Sequence, residues 1–462
     1  MQNTVLERKK RGILDVLKVA LQWLRTFLNS YFFYAFEFLL AVFFVYFRIE
    51  VEGVLVFVAL LSFILLVCDD IMPTTLPFLL VCTLATNCYN SFNTFIVYAI
   101  YAPIVLACVL FHFVVYKKSY SIGFSFKGIF AVSLALLLGG FGGYSLMEYA
   151  KGAYYVLGLG AGMMIAYALM KSEFSIKRDY DMKERFSIIM ILTALFCIIV
   201  MLFGKYYRGK YGAFYLGVYR PAFSSNNIAT LLMFAMPFPL YLAKKHSTWA
   251  IFTPIILGIL FYTGSRGGVL MGCLEFAACV VYWIFTGNKK IRGAIVLAGI
   301  LIGVVALVIQ WQSVCEKIYV FTKLEALKKE ERYVMLFEAI ENFKKRPLLG
   351  TGLLDDSIAY GKHNVKGTMT WYHMMIPQII GSMGLVGVVA YAYQFWGRVK
   401  LIFTKKNAWS LCLGISYLGI LLMSQVNPGE FCPIPFELLT VLLFIFQEER
   451  FVKKPLWERT VK

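Results

Sequence analysis

The sequence predicts an all-α fold, a polytopic transmembrane helical bundle of about 12–14 spans with one long external loop. Three observations predict it. Of the 462 residues, 60% are hydrophobic and only 15% are charged, whereas a soluble domain carries about 25% charged residues. Apolar runs close to the ~20 residues needed to cross a bilayer recur along the chain. The basic residues between these runs cluster on alternate loops, as they do when loops alternate between the two sides of a membrane. With a mean hydropathy of +0.72, the chain is not a soluble enzyme.

Fourteen candidate spans lie near residues 28–47, 51–68, 75–90, 94–116, 128–147, 152–170, 187–204, 226–243, 248–263, 268–286, 293–311, 373–396, 408–424 and 431–447. The third and the last are short and carry prolines (Pro77; Pro433 and Pro435), which suits partial or re-entrant segments. Arg8, Lys9, Lys10 and Arg11 place the N-terminus in the cytoplasm. Inner loops then carry Lys117 and Lys118; Lys171, Lys177, Arg178, Lys183 and Arg185; Lys244 and Lys245; Lys289, Lys290 and Arg292; and Arg398, Lys400, Lys405 and Lys406. The tail, with Lys453 and Lys454, is also inside. This layout divides the chain into a cytoplasmic amphipathic segment (1–27), membrane helices (28–204), a second membrane region (205–447) that includes the external loop 312–372, and a cytoplasmic tail (448–462). In the first segment Ile13, Leu17, Leu21 and Leu24 alternate with Asp15, Lys18, Gln22 and Arg25, the pattern of a helix lying on the membrane surface.

The net charge of +19 is accounted for mainly by these topology-setting loops, so nucleic acid is not expected as a partner. Ten cysteines include no CxxC pair. Most lie in apolar runs and read as small core hydrophobes, while Cys315 and Cys432 both face outward in this layout and could pair. No metal-ligand spacing and no phosphate-cradling Gly-Lys-Ser/Thr loop occurs, and no metal or cofactor is expected. Glu37, Glu275 and Glu437 sit within apolar runs, where a carboxylate is costly and is a functional candidate by default.

Two outer loops break the charge rule, one from about Lys205 to Asn226 and the other the long loop from about Gln312 to Tyr372. The first is basic and aromatic and contains Tyr219-Arg220-Pro221 before Ser224-Ser225-Asn226-Asn227 opens a span. Outward positive charge needs a separate reason, either an anionic ligand or anionic membrane lipid. Between these loops lies Gly264-Ser265-Arg266-Gly267-Gly268, a short outer turn whose glycines allow close backbone approach and whose helix start can offer N–H donors to an anion. The alternative for Arg266 is snorkelling to headgroups. In the long outer loop Tyr333, Leu336, Phe337, Ile340 and Phe343 form one face of an amphipathic helix. Arg332 lies at its start, and Pro347 and Gly350-Thr351-Gly352 follow it. Trp371-Tyr372-His373 closes the loop, and His373 is placed to titrate or to hydrogen-bond at a helix start.

These pieces, in this order, resemble the O-antigen ligase and polysaccharide polymerase superfamily. The resemblance rests on Arg220 followed by Asn227-Ile228-Ala229, on Ser265-Arg266-Gly267-Gly268, on Arg332 leading to Pro347-Leu348-Leu349-Gly350-Thr351-Gly352, and on His373 followed eleven residues later by Gly384-Leu385-Val386-Gly387. It covers residues 205–390. The family often reads His-Asn, whereas Met374 follows His373 here. His363-Asn364 offers the dipeptide at the wrong distance from Gly384.

The resemblance implies a GT-C-like glycosyltransferase architecture in the bacterial cytoplasmic membrane, with the active site on the external face. It also implies a polyprenyl-diphosphate-linked glycan donor and a glycan or lipid-linked acceptor. His373, Arg266 and Arg220 would be catalytic. Arg332, Asn227, Ser265 and Gly267 would bind substrate, although Arg332 could instead hold the loop. His373 could take the acceptor proton or orient the diphosphate. A flippase or exporter of lipid-linked saccharides is the competing class. It would place its cations along a cavity open to both faces, whereas these cations fall at one.

Overall fold

The computed structural model describes residues 2–88, 101–116, 122–139, 155–174, 178–208, 225–263, 265–287, scattered residues between 292 and 315, 331–353, 372–405 and 407–448. The described residues are helical and contain no strand. The helices are α1 (Gln2–Leu28), α2 (Tyr31–Tyr46), α3 (Glu50–Val67), α4 (Thr75–Cys88), α5 (Ala102–Val115), α6 (Phe126–Gly139), α7 (Met163–Glu173) and α8 (Met182–Arg208). They continue with α9 (Ser225–Ala235), α10 (Phe238–Leu242), α11 (Phe252–Tyr262) and α12 (Arg266–Thr286). After the shorter apolar helix α13 (Arg292–Val305) come α14 (Glu331–Lys345), α15 (Met375–Thr404), α16 (Ala408–Met423) and α17 (Leu438–Glu448).

Among the described residues each predicted span overlaps a helix, but the helices differ in reach. Five are long and apolar enough to cross a membrane, and a sixth span arises if α1 and α2, bent by 63° between Asp15–Leu28 and Tyr31–Tyr46, count as one. The helices α4, α5 and α6 have 14 residues each, about 21 Å at 1.5 Å per residue, against a ~30 Å hydrocarbon core.

The chain divides into two compact units, one of Met1–Lys118 with Ile188–Ser224 and one of Ser119–Ser187 with Ser225–Lys462. In the first unit α1 is amphipathic as expected. Val16, Leu17, Val19 and Trp23 are exposed, whereas Leu24, Phe27 and Leu28 pack with Phe33, Ile64 and Cys68. Arg25 ties α1 down by donating to the Val67 carbonyl (2.8 Å) and lying over the Tyr116 ring. The buried His112 is satisfied by the Leu65 carbonyl at 2.9 Å.

The second unit is organised by α15. Its core joins Val132 and Leu136 of α6 to Ile379, Met383 and Tyr391 of α15 and to Phe431. The helix is broken at Gly384, whose φ of 60° and ψ of −151° fall in a region essentially confined to glycine. Its freed backbone groups are taken up by the turn after α14. Thr351 and Gly352 N–H donate to the Gly381 and Ser382 carbonyls (3.0 and 2.9 Å), and Leu385 and Val386 N–H donate to the Pro347 and Leu348 carbonyls (2.8 and 3.1 Å). A break in an apolar helix persists only when such partners exist.

Two assignments from the loop charges are corrected. Arg398 is not an inner-loop cation; it is buried within α15, 2% exposed, and pairs with Glu430 and, at 2.6 Å, with Glu437. Its guanidinium also lies over Tyr417 and Phe444. Lys171 is likewise buried, 3.4 Å from Glu448, so Glu448 ends α17 as an internal partner rather than opening the tail. Both residues are cations that burial is tolerable for only because carboxylates accompany them. Of the three intramembrane acids, Glu437 is therefore ion-paired. Glu37 and Glu275 have no hydrogen-bond partner among the described residues. Cys315 and Cys432 are free thiols.

Gly384→Ala forces a side chain into a glycine-only conformation with its Cβ 2.6 Å from the Pro347 carbonyl. It is expected to cost about 2 kcal/mol or more, read as a lowered unfolding midpoint of the purified protein. Gly303→Ala, where a Cβ meets open space, serves as the control and is expected to leave the midpoint unchanged or raised. Arg398→Ala is expected to destabilise by about 3–5 kcal/mol because two acids lose their cation, and the triple exchange Arg398→Met, Glu430→Leu, Glu437→Leu to recover most of that. Equal midpoints for the single and triple variants would contradict the pairing.

Candidate functional site

Three helix starts and one helix end meet at one end of the second unit. At the start of α12, Ser265 is the N-cap. Its hydroxyl accepts from Gly268 N–H (3.0 Å) and donates to Asn226 Oδ1 (2.6 Å), satisfying one of the orphan donors of the first turn. This ties α12 to the first turn of α9. The two helices approach closely at Ala229 and Gly268, where a Cβ on the glycine would lie 2.6 Å from the alanine methyl. The Asn-x-Ala and Ser-Arg-Gly-Gly patterns are thus two sides of one packing contact. Gly267 meets the Val426 side chain with equally little room.

The turn after α16 completes the connection. Asn427 Nδ2 donates to Asn227 Oδ1 at 3.2 Å, and Met375 N–H at the start of α15 donates to the Ser424 carbonyl at 2.8 Å. The Ser424 hydroxyl receives Glu430 N–H (3.0 Å), and Glu430 is held by the buried Arg398. The end of α16 is therefore anchored from within the bundle. Sequence reasoning did not single out Ser424, Val426 or Asn427. The signal available was Asn427-Pro428-Gly429 directly after an apolar helix, which marks a turn but not its partner 200 residues earlier.

His373 precedes α15, exposed, at a φ of 51°. The adjoining Tyr372 is buried and locks this entry. Its N–H donates to Gln378 Oε1 (3.0 Å), Gln378 Nε2 donates to Ser382 Oγ (3.0 Å), and Asn342 Nδ2 of α14 donates to the tyrosine hydroxyl (2.9 Å). Met335 and Ala339 of α14 pack on Tyr372. Arg332 lies one helical turn before Met335, hence on the same face of α14, and is partly buried. On the other side of α14, Lys344 bonds Glu341 at 2.7 Å and holds its carboxyl below the usual range, while burial pushes Glu338 up.

The structure thus brings Asn226, Asn227, Ser265, Gly267 and the backbone of Arg266 into one hydrogen-bonded and packed group, with His373 joined to it through the α15–α16 contact. Arg220, His363 and Asn364 lie outside the described residues, as does the side chain of Arg266. The first turns of α9, α12 and α15 contain no acidic residue, and Arg266 occupies the first position of α12. A cation there opposes the helix dipole, and that opposition is relieved when an anion is shared between guanidinium and helix start. Among the described residues no group of His, Cys, Asp and Glu is arranged to hold a metal.

Residues 251–392 match the family model described as O-antigen ligase. The matched segment runs from the start of α11 into α15 and includes Ser265-Arg266-Gly267-Gly268, Arg332, the turn that closes the α15 break, and His373. Arg220 and Asn227 precede it, and Ser424 to Asn427 follow it. No curated protein and no solved structure matches the chain. Over residues 251–392 the chain is similar to the O-antigen ligase family, in line with a superfamily of O-antigen ligases and polymerases.

Proposed function

We propose that this multi-pass membrane protein transfers a glycan from a polyprenyl-diphosphate carrier to an acceptor hydroxyl at the external face of the cytoplasmic membrane, as a polysaccharide polymerase or an O-antigen ligase-like enzyme. The observation that carries the reading is the end of the second unit where acid-free helix starts meet around Ser265 and Arg266. In the reaction the acceptor oxygen attacks the anomeric carbon, the bond from that carbon to the diphosphate oxygen breaks, and polyprenyl diphosphate leaves with the bonding pair. Charge builds on the diphosphate as the bond breaks, so fixed cations there lower the barrier. Arg266 and Arg220 take this role, because guanidinium is permanently charged and binds phosphate oxygens bidentately.

His373 receives the acceptor proton or, in the other arrangement, orients the diphosphate. Asn227, Ser265 and Gly267 bind the substrate, and Arg332 binds the donor or holds the loop. The apolar helices around the site suit the lipid tail of the carrier. Capsule, exopolysaccharide and O-antigen glycans all fit the same chemistry. A flippase of lipid-linked saccharides is disfavoured by the grouping of Asn227, Ser265, His373 and the Arg266 backbone at one end of the unit.

The test uses purified protein in vesicles supplied with a polyprenyl-diphosphate-linked glycan and follows the release of polyprenyl diphosphate. Arg266→Ala and Arg220→Ala are each expected to lower turnover by roughly a hundredfold or more without loss from the membrane. Preserved turnover in both would sink the diphosphate clamp.

A further inference from the structure

A second polar cavity lies at the other end of the second unit. The 16 residues of α16 separate the two, about 24 Å at 1.5 Å per residue. Ser424, after its end, belongs to the candidate site, whereas Asn407 and Ala408, at its start, line this cavity. The cavity has a volume of about 630 Å³ and is formed by three chain segments: the approach to α8, the exit from α10 and the start of α16. Arg178, Lys183, Lys244 and Lys245 converge on it, with Tyr241 and Trp409 beside them. A neighbouring cavity of about 410 Å³ shares Lys244 and Lys245 and extends to the end of α12 at Thr286.

The acids at this place are already engaged. Asp181 accepts the backbone N–H groups of Lys183 and Glu184 (2.9 and 3.3 Å) and so caps α8. Glu184 pairs with Lys245. Arg178 is paired with the buried Glu173 at 2.9 Å, and the Lys183 ammonium lies 5.8 Å from the Trp409 ring. Four cations face the two lining acids and, behind the wall, Glu173, the partner of Arg178, which leaves a net charge of +1.

We propose that this cleft binds the phosphate of an anionic phospholipid headgroup. Topology alone asks only for basic residues in a loop; it does not ask that cations from two distant segments line one cavity. A basic pocket between helix ends is the arrangement that holds lipid phosphate. The cleft sits where the apolar helices α10, α12 and α16 end or begin, the level at which headgroups lie, and the half-buried Tyr241 is of the residue type that favours that interface. Lys183 and Lys244 supply the charge, while Trp409, 3% exposed, backs the cleft from the core. The site is independent of the transfer reaction proposed above.

The experiment is native mass spectrometry of the delipidated full-length chain in detergent, titrated with phosphatidylglycerol or with phosphatidylcholine. One retained phosphatidylglycerol per chain is expected, with phosphatidylcholine retained far less. The double variant Lys183→Ala/Lys244→Ala is expected to bind phosphatidylglycerol roughly tenfold more weakly or worse, and Lys183→Arg/Lys244→Arg to restore binding. Because Lys244 is exposed, Lys244→Ala alone keeps the test available if the double variant does not fold. Equal phosphatidylglycerol binding by the wild type and the alanine variants would overturn the proposal. Displacement of the lipid by millimolar inorganic phosphate would overturn the lipid assignment in favour of a free-anion site.

Discussion

Four peptide hydrogen bonds across the break in α15 are the constraint on which the second unit depends. An interrupted helix in an apolar bundle exposes carbonyls and amides with no water to receive them, at a cost of several kcal/mol per group. The turn from Pro347 to Gly352 supplies partners for both sides of the break, two donors and two acceptors. It follows α14 directly, so docking the turn also docks the helix. Through Asn342 and Tyr372 the docked helix then fixes the entry to α15, where His373 sits. One backbone contact thus carries a segment between membrane helices onto the bundle and sets the position of a residue a full turn and more away.

The second constraint is electrostatic. Buried Arg398 with Glu430 and Glu437 is an expensive arrangement in an apolar interior, and its structural consequence is to hold the turn after α16. That turn reaches Asn227 through Asn427 and α15 through Ser424. The ion pairs of Arg398 lie within the bundle, whereas the helix starts at the end that gathers Asn226, Ser265 and Arg266 contain no acidic residue. The proposed transfer asks for both, a scaffold held by internal ion pairs and helix starts that can receive an anion.

The helices were legible in the sequence because apolar runs of membrane length are a strong and simple signal. The candidate positions were legible as short patterns, yet the patterns did not reveal what each residue does mechanically. Gly268 serves a close contact with Ala229, and Gly384 a backbone break. Both depend on partners 39 and 34 or more residues away in the chain, which spacing cannot supply. Arg398 was misread for a related reason: a single arginine near the end of an apolar run satisfies the loop-charge rule, and only the approach of Glu430 and Glu437 shows that it is internal. The turn from Ser424 to Asn427 was missed because a polar turn after a span carries no mark of the helix it will touch.

The central claim is tested most directly by resolving lipid-linked and polymerised glycans by size in cells from which this gene is deleted. Deletion is expected to build up lipid-linked glycan, as single repeat units if the chain is a polymerase and as long lipid-linked chains if it is a ligase. Unchanged glycans under conditions in which the wild-type cells make the protein would contradict it.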